Sequence, residues 1–81
     1  MTFSERVQAE VAQAREQHRE IHSVHEGYSV ILEELEEFWD EVRKKPAQRD
    51  LAILYMELVQ VAATAQRTAE DVLGHPSFVE S

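Results

Sequence analysis

Apolar residues recur along this chain at intervals of three and four, the spacing of one face of a helix. Phe3, Val7, Val11, Ala14 and Ile21 form a first, narrow stripe, with Glu5, Arg6, Glu10, Arg15, Glu16 and Arg19 between them. Thr2 and Glu5 form a capping-box pattern, in which each side chain satisfies an orphan N–H at a helix start. A first helix is therefore predicted from Thr2, peripheral because so narrow a stripe buries little. A break is expected around His22 to Gly27, where Ser23 and Glu26 repeat the capping pattern. The second helix is predicted from near Val24 to about Lys44. Gly27 in its first turn is unfavourable by roughly 1 kcal/mol against Ala. It either admits a close approach by another backbone or a ligand, or marks a boundary. Pro46 suits a first helical position, since its missing N–H would be an orphan there. The third helix is predicted from Pro46 to about Leu73, stopped by Gly74 and Pro76. Three helices with short joins predict one antiparallel all-α domain over residues 1–81.

An 81-residue chain without cysteine builds a thin core with no disulfide or thiolate metal site to staple it. Self-association is the remaining route to burial, and three helices leave the long third one partly uncovered. A homodimer or higher homo-oligomer is expected. The net charge of -8 repels nucleic acid and anionic membranes, and repels a nucleoside triphosphate unless metal ions intervene. No apolar run approaches the roughly 20 residues that span a bilayer, and MTFSERVQAE is unlike a secretory signal. No nucleic-acid or membrane partner is expected, and the expected location is cytoplasmic.

The stretch Ile31 to Glu41, ILEELEEFWDE, holds six carboxylates in eleven residues. At about 100° per residue they divide into two stripes. Glu33, Glu36 and Asp40 face away from the apolar side, as a solvated surface would. Glu34, Glu37 and Glu41 run along the edge of a predicted core face made by Ile31, Leu35, Phe38 and Val42, with Tyr28 and Trp39 just beyond. Carboxylates at such an edge are costly unless something pairs with them. The third helix repeats the arrangement. Leu51, Leu54, Leu58, Val61, Ala62, Ala65, Ala69 and Val72 form its predicted core face, and Glu57, Gln60 and Thr64 occupy the equivalent edge. Packed antiparallel, the two helices would set Glu34 and Glu37 opposite Glu57 and Gln60. That is an oxygen-rich cage of the kind Mg²⁺ or Mn²⁺ prefers.

These residues resemble a known family. Glu33-Glu34-Leu35-Glu36-Glu37 is similar to the EExxE signature of MazG-like proteins, of the all-α NTP pyrophosphatase superfamily. The family's second motif is ExxD on the next helix, and here Glu57 opens it, with Gln60 where Asp is expected. The runs HEGYSVILEELEEFWDEV and ELVQVAATAQRTAEDV carry the likeness across roughly Ser23 to Val72. The resemblance implies a MazG-like fold, a three-helix antiparallel protomer assembling into a helical-bundle oligomer. It implies a Mg²⁺-dependent nucleoside triphosphate pyrophosphohydrolase that releases a monophosphate and pyrophosphate. Glu34, Glu37 and Glu57 would be metal ligands, with Gln60 as a neutral fourth. Glu33 would be an additional carboxylate orienting the attacking water. Glu41, Asp50 or Asp71 would compensate for the charge missing at Gln60. The alternative reading, motivated by Gln60 and the small size, is a non-enzymatic helical oligomer serving as a regulatory or interaction module.

The remaining candidates carry less. His18, His22 and His25 would align for zinc on an unbroken helix, but the break at Ser23 separates them. His25, at the start of the acidic helix, either touches substrate phosphate or bonds to backbone, and His75 is expected to face solvent. A di-iron bundle would use Glu-x-x-His, and no Glu here has His three residues later. Arg67 either binds a phosphate or pairs with Glu70, Asp71 or another chain. Arg43, Lys44, Lys45 and Arg49 complement the negative end of the second helix or close over a triphosphate. Trp39, Tyr28 and Tyr55 are expected in the core or an interface, with base stacking as the alternative.

Overall fold

A computed structural model describes residues 1–74. His75 and Pro76, with the expectations attached to them, lie outside the described residues. Those residues form α1 (Phe3–Gln17), α2 (Val24–Val42), a 3₁₀ turn (Pro46–Gln48) and α3 (Leu51–Val72), with no strand among them. No helix among them is long and apolar enough to cross a membrane.

Local chemistry accounts for each boundary. At Thr2 the capping box closes in both directions: Glu5 N–H donates to Thr2 Oγ1 at 3.1 Å, and Thr2 N–H donates to Glu5 Oε1 at 2.8 Å. Ser23 caps α2 by accepting from Glu26 N–H at 3.0 Å. The Glu26 carboxylate does not complete a box. It accepts from His22 N–H at 2.7 Å and from Arg19 at 3.0 Å. Two boundaries differ from the sequence expectation. α1 ends at Gln17 rather than continuing to a break at His22, because residues 18–23 turn across the end of α3. There Ile21 is buried, and its N–H donates to Asp71 at 3.0 Å. The third helix opens at Leu51, not Pro46. Pro46 starts the 3₁₀ turn, and Asp50 is the true cap, accepting from Ala52 and Ile53 N–H at 2.9 and 3.2 Å.

α3 is the spine. α1 packs on one side of it and α2 on another, and among the described residues α1 and α2 do not pack on each other. Gly27 meets Thr68 and Glu41 meets Asp50, so α2 runs antiparallel to α3. Phe3 meets Tyr55 edge-to-face at 5.5 Å between ring centroids, and Arg15 bonds Asp71 at 2.7 Å, so α1 runs parallel to α3. The chain therefore reverses at each join. Gln8 and Gln66 exchange side-chain amide bonds of 2.8 and 2.9 Å across the α1–α3 seam.

The core differs from the predicted one. Val7 and Val11 of α1 pack on Val59 and Ala63 of α3, and Val59 is fully buried. The predicted core face of α3 is half open: Leu51 is 78% exposed and Leu58, Ala65 and Ala69 are exposed too, whereas Leu54, Val61, Ala62 and Val72 are half-buried and Ala62 packs on the core. On α2, Tyr28, Leu35 and Trp39 are exposed, Trp39 to 57%, while Ile31, Phe38 and Val42 are half-buried. Helix periodicity identifies an apolar face but not what covers it. The α1 seam instead falls on a second face of α3, roughly 100° from the first.

Gly27 proves to be a point of close approach. A Cβ there would lie closer than van der Waals contact to Thr68 Cγ2, Oγ1 and Cβ alike, so a short, β-branched side chain would have to yield. Gly27→Val is expected to lower unfolding stability by roughly 1–3 kcal/mol, the usual range for overpacking. The urea midpoint should fall accordingly and recover in part in Gly27→Val/Thr68→Ala. An unchanged midpoint in the single variant would mean that α2 does not rest on α3 there.

Candidate functional site

The α2–α3 seam sets three carboxylates together. One oxygen each from Glu34, Glu37 and Glu57 lies within 4.8 Å of the others. Glu34 and Glu37 are one turn apart on α2, and Glu57 faces them from α3. Glu34 and Glu57 are half-buried and Glu37 is exposed. By burial the two-stripe division of the acidic run holds in part: Glu33, Glu36 and Asp40 are exposed and Glu34 and Glu41 turn inward, but Glu37, expected beside them, is exposed. Glu33 borders the same cleft as Glu34.

Three like charges this close oppose ionisation. Burial, a hydrogen bond with Glu37 and the charges of Glu37, Glu57 and Glu33 push the Glu34 carboxyl up to about 7. Glu57 is raised as well, by burial and then by Glu37 and Glu41. Its Oε2 is buried and has no hydrogen-bond partner. A buried carboxylate oxygen without a donor is costly, and a bound cation removes that cost. The donor set is all oxygen, as hard divalent ions require. Around Mg²⁺ with ligands at about 2.1 Å, neighbouring oxygens stand about 3 Å apart and opposite ones about 4.2 Å, so three oxygens within 4.8 Å of one another reach one ion after side-chain adjustment. The residues present therefore fit such an ion.

Gln60 is half-buried one turn beyond Glu57, and its backbone carbonyl accepts from Thr64 Oγ1 at 3.0 Å. The carboxylates expected to compensate for it are engaged elsewhere. Glu41, 4% exposed, accepts from Asp50 N–H at 2.8 Å and from Lys44 at 2.9 Å, which hold it below its ordinary range. It ties the end of α2 to the start of α3. Asp50 is the α3 cap. Burial raises Asp71, but Ile21 N–H and Arg15 outweigh that and leave it low.

Arg67 is buried on α3 between the seams to α1 and α2. The carboxylates expected to pair with it, Glu70 and Asp71, are both held by Arg15 at 2.7 Å. His25 is exposed in the first turn of α2, away from the triad, and its carbonyl accepts from Ser29 Oγ at 3.0 Å. His18, His22 and His25 do not converge as a metal cluster among the described residues. Basic residues at the join do serve the end of α2, since Arg49 Nε donates to Val42 O at 2.8 Å. Sequence reasoning missed the latching role of Glu41. The signal available was its place one turn beyond Glu37, level with the join.

Comparison with known proteins gives no match, whether to family models, to curated proteins or to solved structures.

A carboxyl raised from 4.5 to about 7 binds its proton more tightly in the folded than in the unfolded chain. Its stabilising contribution is complete below about 4.5 and is lost as pH rises through about 7. In chelator, Glu34→Gln should therefore melt higher than the parent at pH 8, with the difference shrinking toward pH 5. A difference independent of pH would assign the strain to another group.

Proposed function

We propose that this protein is a Mg²⁺-dependent nucleoside triphosphate pyrophosphohydrolase of MazG-like fold, with Mn²⁺ able to substitute. The observation that carries the reading is the convergence of Glu34, Glu37 and Glu57 within 4.8 Å from two helices, with one Glu57 oxygen buried and unpartnered. The likeness of Glu33–Glu37 and Glu57 to the family's two signatures supports it from the sequence. A divalent ion held there neutralises phosphate charge and lowers the pKa of a bound water. Glu34, Glu37 and Glu57 would hold the ion, with Gln60 one turn beyond Glu57 as an uncharged oxygen donor. Glu33, exposed next to Glu34, orients the attacking water and takes up its proton. Water oxygen bonds to the α-phosphorus, the bridging bond to the β-phosphate breaks, and pyrophosphate leaves with that bond's electron pair. The chain supplies positioning and charge rather than covalent chemistry.

The working unit is a homodimer or higher oligomer. The exposed apolar residues of α2 (Tyr28, Leu35, Trp39) and of α3 (Leu51, Leu58) fall on one side of the antiparallel pair, turned from the carboxylate edge. A patch of this kind on so small a protein is suited to association, and two such pairs make a four-helix bundle. Trp39→Glu/Leu58→Glu should halve the mass or more in light scattering at micromolar concentration while leaving the helical circular dichroism. A parent that is already monomeric rules the assembly out.

Gln60, standing where the family carries Asp, favours a second reading, a non-enzymatic oligomer of the same fold. Pyrophosphate release across a panel of NTPs and dNTPs with Mg²⁺ separates the two. Release is expected for at least one nucleotide, with Glu34→Gln and Glu37→Gln each reducing it about a hundredfold or more, as loss of a metal ligand does. No turnover on any nucleotide, and no Mg²⁺-dependent nucleotide binding, leaves the second reading standing.

A further inference from the structure

Where the connector after α1 crosses the end of α3, an open cleft of about 400 Å³ lies between that connector, α2 and α3. Its walls include Arg19 and Glu20 of the connector, Val30, Glu33 and Glu34 of α2, and Arg67 of α3. Glu34 belongs both to this cleft and to the carboxylate triad, so the two are continuous.

Arg67 is the anomaly. It is 7% exposed, its Nε is buried with no partner, and its one hydrogen bond is a long 3.4 Å contact to the Arg19 carbonyl. A guanidinium carries five N–H donors, and burying them unmet is expensive. The carboxylates at the end of α3 and the start of α2 are committed to other arginines. Glu70 and Asp71 bond Arg15, and Glu26 bonds Arg19. A guanidinium left this way in a cleft wall is matched by an oxyanion, whose geometry fits its planar fork. Glu33 and Glu34 share the cleft and repel a free anion, so the ligand must bring or meet a cation. A divalent ion on the triad reverses the local sign beside Glu34. A phosphate chain can then lie between that ion and Arg67.

We propose that Arg67 is the phosphate receptor of this site, holding the pyrophosphoryl end of the ligand in the cleft while the ion at the carboxylate triad holds its other side. The proposal rests on the triad binding a divalent ion. It makes pyrophosphate a ligand in its own right, recognised by Arg67 only when metal is present.

Mg²⁺ and inorganic pyrophosphate are the probes that test this. Calorimetry on the parent should show pyrophosphate binding with Mg²⁺ and none in chelator. Arg67→Met should weaken that binding by about tenfold or more, the scale of a lost charge-assisted pair. The Mg²⁺-induced rise in melting temperature should persist in Arg67→Met, showing an intact fold and triad. On the parent, the Arg67 Nε–H resonance should move when pyrophosphate is added to the Mg²⁺-loaded protein, which decides the matter even if the variant does not fold. Pyrophosphate binding with that resonance unmoved, or equally tight binding by Arg67→Met, overturns the role of Arg67. A Mg²⁺ shift without pyrophosphate binding overturns it as well and leaves the metal reading intact. No Mg²⁺ shift at all removes both.

Discussion

Glu34, Glu37 and Glu57 face one another because α2 is fixed against α3 at both ends. At one end Gly27 lets the α2 backbone close on the Thr68 side chain, and at the other the buried Glu41 carboxylate receives the Asp50 N–H. A larger residue at 27 would tilt α2 away, and a neutral apolar residue at 41 would free the start of α3. With both ends pinned, the carboxylates in the middle of the seam are brought within 4.8 Å of one another. The Glu34 carboxyl accordingly sits above its usual range, raised first by burial and then by Glu37, Glu57 and Glu33.

The same seam divides the acidic residues by role. Glu41 and Asp71 each accept a backbone N–H and a basic side chain, and both are held low. Glu34 and Glu57 receive no such donors and are held high. Paired carboxylates build the protomer, and unpaired ones strain it. Strain of this kind persists where the surrounding structure over-determines it, and such places are candidate functional sites. Arg67 follows the same logic with the opposite sign. Arg15 satisfies the acids at the end of α3 from the α1 side, which leaves the buried guanidinium without them.

Much of this was legible in the residues. Thr2–Glu5 and Ser23 mark helix starts through local hydrogen bonds that need no tertiary context. The splitting of ILEELEEFWDE into two stripes follows from helix geometry alone, as does the facing of Glu57 once the pair is antiparallel. The core was not legible in the same way. Leu51, Leu58, Tyr28 and Trp39 satisfy the periodicity of a buried face, yet Val59 and Ala63 form the seam with α1. Periodicity reports hydrophobic need, and two helices able to meet that need on different faces of α3 are not distinguished by it. Asp50 was hidden for a related reason. Pro46 is the stronger local start signal, but it begins a single 3₁₀ turn, and Glu41 decides where α3 starts by taking the Asp50 N–H.

The two unsatisfied sides of the α2–α3 pair face in different directions. The apolar side is large, uncharged and made of residues that gain from burial against like residues. The carboxylate edge and the Arg67 cleft are charged, half-buried and short of partners, and apolar contact would worsen their position. One surface can therefore be covered by association without occluding the other. Covering the apolar side would also stiffen α2 along Leu35 and Trp39, the residues that flank Glu34 and Glu37. Assembly and the carboxylate triad would then be coupled through the rigidity of one helix rather than through a shared contact.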